Sequence, residues 1–391
     1  MEYSAYFCLM VSAFTAAFSL PVGRAFAVAS LVCTAMHLIR SRKWPVFTAT
    51  SWLAVLFVAV AVVVTLASPF RETGQSKLLK LAWFFIIPLT ATLVTSRKRL
   101  IELLGAFAAG AGVLALLSCT VHPAVVVLDF LRGSAPSLYL AIRDAGSMTD
   151  AQRLMAGIII AAGFLFARIK QGKTAYFWWV VLALEVAALL VMFKRGSWIC
   201  TVGFLGVFLM LKTNWKYVAG LVIIVLGLGL MPAVQTRMSG LVDEIQTGGR
   251  VVMWTKIAPA LVKEYPMGIG WRCLTSDMMR RIAPEVEADR SHLHSNPVEV
   301  LVETGRIGLA VFIVWMIWAL VDAWRAIPSA GQAPERDRVI SLSMLLALCA
   351  LITNGLVEYN FADAEITLIY AYLIGCAAAT RKLVATVEKP G

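Results

Sequence analysis

The sequence predicts an all-α protein that crosses a membrane many times. Of its 391 residues, 60% are apolar and only 15% are charged, whereas soluble domains carry roughly 45–50% apolar and about 25% charged residues. The apolar residues form repeated blocks of about twenty, the length that a helix needs to cross a bilayer. Lipid cannot satisfy exposed backbone groups, so each block is expected to be a helix, and an ordinary soluble domain is excluded.

Twelve blocks have this length and are predicted to be membrane spans. They run approximately over residues 4–20, 23–39, 46–68, 79–96, 100–120, 154–168, 176–193, 197–212, 217–233, 297–321, 339–356 and 364–380. The first is not expected to be a removable signal peptide, because no basic residue precedes it. We therefore predict a single membrane domain over residues 1–391, with an outer loop of about 234–296 inserted between spans nine and ten.

The orientation follows from the basic residues of the short loops, because short loops rich in Lys and Arg stay in the cytoplasm. Alternate loops and the C-terminal tail carry Arg40, Arg42, Lys43, Arg97, Lys98, Arg99, Arg168, Lys170, Lys173, Lys212, Lys216, Arg325, Arg336, Arg338, Arg381, Lys382 and Lys389. Both termini are therefore predicted to be cytoplasmic. The chain has a net charge of +12, and its other basic residues lie on or near the outer face, largely in segments 121–153 and 234–296.

The longer outer segment is predicted to contain two helices. Residues 250–264 have the pattern of an amphipathic helix that lies along the membrane surface. Its apolar stripe consists of Val251, Trp254, Ile257 and Leu261. Pro259 is expected to kink or break this helix. A turn-rich stretch follows at 266–270, and a second, polar helix is predicted over about 276–288.

The stretch before span ten is the first candidate for chemistry. Asn296 suits a helix N-cap, Pro297 the first helical position and Glu299 the third. His294 would then be held just before a helix N-terminus at the outer surface, where an imidazole can act as a general base. The alternative is an interfacial histidine that is hydrogen-bonded to a loop.

Three charged residues further along the same span are spaced as neighbours on a helix. Glu299, Glu303 and Arg306 are separated by four and three positions, so mutual ion pairing is their predicted role. A catalytic role for either glutamate is the lesser alternative.

The junction of spans seven and eight is the second candidate site. Lys194 and Arg195 close a turn beside a helix N-terminus, a combination that suits an anion. The alternative is ordinary anchoring at the interface, with Trp198 in the aromatic belt. Arg250 follows two glycines and could swing over the same ligand, although by itself it could also be a solvated residue.

Other polar residues give weaker signals. His292 and His294 are two positions apart, but no third ligand has matching spacing, so no metal site is predicted. Glu185 lies in the middle of span seven, where it could be a proton relay or a neutral structural residue. A mixed cluster in the first long outer segment could hold an anion or stabilise the loop; it consists of Arg132, Arg143, Asp144, Asp150 and Arg153.

Three of these stretches, in this order, resemble a known family. They are Arg195-Gly196-Ser197-Trp198, then Gly249-Arg250 to Trp254 leading to Tyr265-Pro266-Met267-Gly268-Ile269-Gly270, then His294-Ser295-Asn296 leading to Glu303, Gly305 and Gly308. With the twelve-span layout and one large outer loop, the chain resembles the O-antigen ligase and O-antigen polymerase superfamily of bacterial inner-membrane glycosyltransferases. It departs from the family pattern at Ser295, which separates the histidine from the asparagine.

The resemblance implies a GT-C-like fold and a function. A family member would move a glycan from undecaprenyl pyrophosphate to an acceptor sugar on the periplasmic side, with inversion and without nucleotide sugar, cofactor or metal. Arg195 and Arg250 would hold the pyrophosphate, His294 would act on the acceptor hydroxyl, and Lys194 and Glu303 could support them. The implied partners are the lipid-linked donor, a lipid A core acceptor and membrane lipids, not nucleic acid.

Two alternatives to an O-antigen ligase are kept. A polymerase shares the chemistry and differs in its acceptor, but such enzymes often carry more than one sizeable outer loop. A secondary transporter of an anionic lipid or metabolite should show two similar halves and polar residues near mid-membrane. Here the polar residues concentrate at one face instead, which favours the ligase.

Overall fold

The described part of the chain is helical throughout. A computed structural model describes residues 1–131, 147–168, 173–212, 215–232, 234–235, 249–285, 291–331 and 333–387. Over these residues it contains helices, turns and loops and no strand. The prediction of a polytopic all-α membrane protein is confirmed.

Sixteen α-helices are labelled here in chain order. The first eight are α1 (Glu2–Ala16), α2 (Leu20–Ser41), α3 (Ala49–Ala67), α4 (Arg71–Leu78), α5 (Ile86–Leu93), α6 (Arg97–Leu131), α7 (Met148–Arg168) and α8 (Lys173–Val191). The others are α9 (Arg195–Lys212), α10 (Trp215–Gly229), α11 (Gly249–Val252), α12 (Ala258–Glu264), α13 (Ser276–Ile282), α14 (Asn296–Arg325), α15 (Glu335–Asn354) and α16 (Ala364–Val387). A 3₁₀ helix, Leu79–Phe85, joins α4 to α5, and a π-helix, Met253–Ile257, joins α11 to α12.

All twelve predicted spans fall on helices. Among the described residues, nine helical segments are long and apolar enough to cross a bilayer, and they correspond to predicted spans two to eight, ten and eleven. The first and ninth spans correspond to α1 and α10, which have only 15 residues each. The fourth span begins earlier than predicted, because the polar helix α4 continues through the 3₁₀ helix into α5.

The bundle is built around α7 and α15, whose apolar segments are largely buried. Small residues let these two helices approach closely, as is usual for helix packing in membranes. A Cβ added to Gly163 of α7 would lie only 2.2 Å from the Ser343 hydroxyl of α15. Substitution of this glycine would therefore push the two central helices apart.

An aromatic cluster joins the outer loops to the spans. The rings of Phe57, Phe84, Trp271, Trp315 and Phe361 lie with centroids 5.0–5.8 Å apart in several pairs. Trp271 belongs to the outer segment and Phe361 to the loop between α15 and α16. Each such pair contributes about 0.5–1.5 kcal/mol beyond the area it buries, so this cluster fixes both loops to α3 and α14.

Helix α14 is broken at Gly305. The backbone there has φ 68° and ψ −172°, which is not helical. The outer loop packs into the break: the N–H groups of Ile269 and Gly270 donate to the carbonyls of Val302 and Glu303, at 3.0 and 2.9 Å. A Cβ on Gly305 would lie 2.8 Å from the backbone of Met267. The break thus makes an outer half-helix, residues 296–304, that is joined to the outer segment by main-chain hydrogen bonds.

The predicted amphipathic helix is present but its stripe is shifted. The π-helix before α12 adds a residue to one turn, and Pro259 follows it in the first turn of α12, where no N–H is needed. The buried residues are Met253, Ile257, Ala258 and Leu261, while Val251 and Trp254 are only partly buried. The expected kink at Pro259 is therefore replaced by a change of register.

The outer segment has a small apolar core of its own. Met253, Ile257 and Leu261 pack with Ile269, Met279 and other apolar residues against Val302 of the outer half-helix. The second predicted helix is α13, which is capped by the Thr275 side chain and ends at Ile282. The remaining part of that prediction, 286–288, lies outside the described residues.

Candidate functional site

Four loops and helix ends meet at one end of the bundle. They are the stretch 291–295 before α14, the short helix α11, the loop 355–363 between α15 and α16, and the start of α9. Each candidate residue from the sequence other than Glu185 and the 121–153 cluster lies on one of these elements or on the outer half-helix. These candidate residues therefore lie at one end of the molecule.

His294 is fixed by its backbone and by a carboxylate. Its φ of 51° lies in the left-handed region, which non-glycine residues adopt rarely and most often at functional sites. Its Nδ1 lies 3.3 Å from Oε2 of Glu358, and the imidazole is only 11% exposed. The carboxylate therefore contacts the Nδ1 side of the ring, and Nε2 is at the opposite side of the imidazole.

Arg250 shares the same carboxylate. Its Nη2 lies 2.5 Å from Oε1 of Glu358, so one buried glutamate bridges the arginine and the histidine. Burial by itself raises the pKa of Glu358, but the hydrogen bond with His294 and the charge of Arg250 outweigh it and lower the pKa below its ordinary value. Glu358 is therefore ionised at neutral pH.

Glu358 was missed by the sequence reasoning. It lies in the short outer turn between spans eleven and twelve, in the polar stretch Glu358-Tyr359-Asn360. A polar group in an otherwise apolar part of the chain, on the same predicted face as His294, was the available signal. The 64 positions that separate it from His294 gave no pattern to connect them.

Asn296 does not cap α14 as predicted. The N-cap is Ser295, and its side chain makes no capping hydrogen bond. The Asn296 amide instead bridges to the loop of Glu358: its Oδ1 accepts from the N–H groups of Asn360 and Phe361, at 2.9 and 3.0 Å. Its Nδ2 donates to Asn360 Oδ1 at 2.7 Å. The asparagine thus locks the loop of Glu358 to the stretch that carries His294.

The predicted capping role of Glu299 holds in a modified form. Its Oε2 accepts from the backbone N–H of Leu293 at 2.6 Å, so the carboxylate reaches back beyond the N-cap and holds the residue before His294. The buried glutamate thereby fixes the backbone on which the imidazole stands.

Arg195 joins the site through a neighbouring amide network. It is the first residue of α9 and is 7% exposed. The next residue, Gly196, packs against Asn354, since a Cβ there would lie 3.1 Å from the Asn354 Nδ2. Asn354 accepts from Gln152 at 2.8 Å and from Asn360 at 3.4 Å. Arg195 and the preceding Lys194 therefore lie at a helix end that Asn354 and Asn360 connect to the loop of Glu358.

The predicted ion pairing of Glu299 and Glu303 with Arg306 is wrong. The break at Gly305 separates the two glutamates, which are each 1% exposed, from Arg306, which is exposed. Glu303 accepts instead from the backbone N–H of Arg272 at 2.8 Å and from the Tyr359 hydroxyl at 3.3 Å. It supports the site by holding the residue next to Glu358.

Several of the weaker candidates make contacts within the fold. The rings of His292 and His294 lie 4.3 Å apart, and no group of three His, Cys, Asp or Glu residues in the described part of the chain is placed to hold a metal. Glu185 is fully buried against Gly157 of α7. Arg153 pairs with Asp150 and donates to the carbonyls that end α1. Arg132, Arg143 and Asp144 lie outside the described residues.

A comparison with known families fits this site. Residues 178–313 match the family described as O-Antigen ligase, and the match includes Arg195, Arg250 and His294. It supports membership of the O-antigen ligase and polymerase superfamily, whose members are glycosyltransferase-like enzymes that act on lipid-linked glycans. Glu358 lies beyond the matched residues. No curated protein matches the chain.

Proposed function

We propose that this chain, as a member of the O-antigen ligase and polymerase superfamily, is a ligase. It transfers a polysaccharide from undecaprenyl pyrophosphate to a sugar of the lipid A core, at the periplasmic face of the bacterial inner membrane. The observation that carries the proposal is the bridge from Glu358 to both Arg250 and His294. This one carboxylate holds together Arg250, which would stabilise the leaving group, and His294, which would deprotonate the nucleophile.

The reaction needs these two roles and little else. The acceptor oxygen attacks the anomeric carbon, its proton passes to Nε2 of His294, and the bond from that carbon to the pyrophosphate oxygen breaks, with inversion. The pyrophosphate leaves with the prenyl chain and its negative charge must be stabilised. Arginine guanidinium groups supply such stabilisation at a preorganised site. No general acid is needed, because the donor is already activated.

Arg250 can exchange the carboxylate of Glu358 for the pyrophosphate of the donor. Its partner in the structure is Glu358, and the salt bridge leaves the Arg250 side chain 28% exposed. An incoming pyrophosphate offers more charge than one carboxylate and can draw the guanidinium toward itself. Glu358 would then interact with His294 alone, which favours the proton on the imidazole during the transfer.

Arg195 and an apolar groove fit the rest of the donor. Arg195, with Lys194 beside it, would also hold the pyrophosphate, at the N-terminus of α9. A groove of about 720 Å³ runs between α3 and the break in α14, with mostly apolar lining and the cations Lys263 and Arg306. Its apolar walls suit a prenyl chain, and its cations suit the phosphate end of a lipid.

Transfer by the purified protein tests this function. Wild-type protein in nanodiscs, given lipid-linked glycan and lipid A core, should form capped lipopolysaccharide, and His294→Ala, Arg250→Ala and Arg195→Ala should lose this activity. Lys256→Ala is the matched control, because Lys256 is exposed and pairs with Glu285 on the outer surface of the same segment. Full transfer by the three variants would contradict the site.

A gel of lipopolysaccharide from a deletion strain tests the acceptor. A ligase predicts loss of capped lipopolysaccharide with accumulation of lipid-linked polymer. Core bearing a single repeat would identify a polymerase instead, with the same donor chemistry. Uptake of an anionic lipid or metabolite without any transfer product would identify a transporter.

A further inference from the structure

A second group of basic residues lies near the end of the loop that carries Glu358, where Arg272 contacts Ala362. It comprises Arg24 near the start of α2, Lys77 of α4, Lys80 of the 3₁₀ helix and Arg272 of the outer segment. We call it the Lys80 cluster. None of these residues entered the predicted site, because they are separated along the chain and belong to no shared motif.

Main-chain hydrogen bonds hold two of the four cations in place. The Lys77 ammonium donates to the carbonyl of Arg272 at 2.7 Å. The Arg272 guanidinium donates to the carbonyl of Ala362 at 2.6 Å, and its backbone has a φ of 54°. Carbonyl groups carry no net charge, so these contacts position the cations without neutralising them. The positive charge is thus built into the fold.

The cluster has a deficit of negative charge. Lys80 is exposed, and the charged groups that act on it are three cations, Arg272, Arg24 and Lys77, against one carboxylate, Asp363. Asp363 is itself buried, which raises its pKa to about 6. Four cations against one carboxylate leave an excess of positive charge, which suits an anion from outside the chain.

Arg24 adds an unused hydrogen-bond donor. Its guanidinium carbon lies 5.2 Å from the centroid of the Trp83 ring, which positions the side chain at the edge of the bundle. Its Nε is buried and has no hydrogen-bond partner. Buried polar groups are nearly always paired, so this N–H indicates a partner that the protein itself does not supply.

The cluster is close to the proposed reaction site but distinct from it. Glu303 links the two groups of residues, because it accepts from the backbone N–H of Arg272 and from the hydroxyl of Tyr359, the residue after Glu358. Arg250 and His294 contact Glu358, at the start of the 358–363 stretch, whereas Arg272 contacts Ala362, at its end. The two groups of residues thus contact opposite ends of the same short stretch of chain.

We propose that the Lys80 cluster binds the phosphate groups of the acceptor glycolipid and so delivers its sugar hydroxyl to His294. This inference rests on the proposed function, because it names the acceptor side of that reaction. It separates two anion sites, with donor pyrophosphate at Arg195 and Arg250 and acceptor phosphate at Arg24, Lys77, Lys80 and Arg272. Both sites contact the loop 355–363.

The test uses Lys80→Gln and Arg24→Gln, singly and together, in full-length protein in nanodiscs of zwitterionic lipid. The double variant should raise the KM for a phosphorylated acceptor by about tenfold or more, while kcat and the KM for the donor stay within twofold. Enzymatically dephosphorylated acceptor should show no difference between the double variant and the wild type. Lys256→Gln is the control for removal of one positive charge from the outer surface.

Three results would overturn the inference. One is an unchanged acceptor KM in the double variant. Another is an equal rise with dephosphorylated acceptor, which would indicate a structural effect. The third is an equal difference between wild type and double variant in binding to anionic phospholipid without acceptor. This result would assign the cluster to bulk lipid headgroups. Direct binding of acceptor without donor is measured in parallel, so that a failure of the transfer reaction is distinguished from a failure of this site.

Discussion

Two arginines that contact the 355–363 loop are held in opposite ways. Arg250 makes a salt bridge to the side chain of Glu358. Arg272 donates from its guanidinium to a backbone carbonyl, and its own backbone N–H is fixed by buried Glu303. The first contact pairs two charges, either of which can be exchanged for a ligand charge. The second is part of the fold.

This difference indicates different contributions to a reaction. An arginine that changes partner can stabilise charge that appears only as the bond breaks, and so affects kcat. An arginine that stays in place contributes equally to the bound ground state and the transition state, and so affects KM. Each of the following predictions tests this division between the two sites.

The largest effect is expected from loss of the base. His294→Ala should lower kcat by about 10²–10⁴-fold, the range usual for a positioned general base. His292→Ala is a close control, since its ring lies 4.3 Å from that of His294. Single-turnover transfer assays measure both. Equal losses in the two variants would show that the histidine pair acts as a structural unit rather than through His294.

Alanine at the two arginines should separate kcat from KM. Arg250→Ala should lower kcat by about 10²–10³-fold, comparable to the loss of one preorganised donor to a developing anion. Arg272→Ala should keep kcat within about tenfold while it raises the acceptor KM and lowers the Tm, because it removes contacts within the fold. Steady-state kinetics and thermal unfolding in nanodiscs provide the readout. A larger loss of kcat in Arg272→Ala than in Arg250→Ala would reverse the assignment.

Glu358→Gln should have an intermediate effect. A hydrogen bond to a charged group contributes about 1.5–3 kcal/mol, so activity should fall about 10- to 100-fold. The pKa of Glu358 is lowered in the fold, so the stability from its pairing is present at neutral pH and is lost as the pH falls through that lowered value. Wild type should therefore lose thermal stability more steeply than Glu358→Gln at pH values below the ordinary pKa of a glutamate. Parallel pH profiles of Tm would contradict the pairing.

Asp363→Asn should have the smallest effect and the opposite sign. Burial raises the pKa of Asp363 to about 6. The charges of Arg272 and Lys80 act in the opposite direction, whereas those of Glu365 and Glu358 raise the pKa further. At pH 7 Asp363 is mostly ionised, so Asp363→Asn should bind phosphorylated acceptor about two- to fivefold more tightly than the wild type. As the pH falls to 5 Asp363 is protonated and this difference should vanish, whereas titration of the acceptor phosphate affects both proteins alike. Binding titrations at several pH values measure it, and an unchanged pH dependence in the variant would exclude Asp363 as its source.

The sequence predicted the spans and part of the site because those features are local. Blocks of about twenty apolar residues reveal spans directly, and the motifs around Arg250 and His294 lie within short stretches. The partner of both residues, Glu358, belongs to a different loop, and no periodicity connects it to them. Packing decided the rest: Asn296 joins a loop rather than capping a helix, and Gly305 interrupts a helix that spacing alone would continue through Glu303 to Arg306.

The π-helix Met253–Ile257 determines the direction in which Arg250 projects from its helix. Successive residues of an α-helix are rotated by about 100°, and a π-turn accommodates one extra residue. Deletion of one residue between 253 and 257 would convert the segment into continuous α-helix and turn Arg250 by about 100° away from Glu358, while α12 and its packing stay in place. A chain shortened by this one residue would then keep the packing of its outer segment and lose the salt bridge between Arg250 and Glu358.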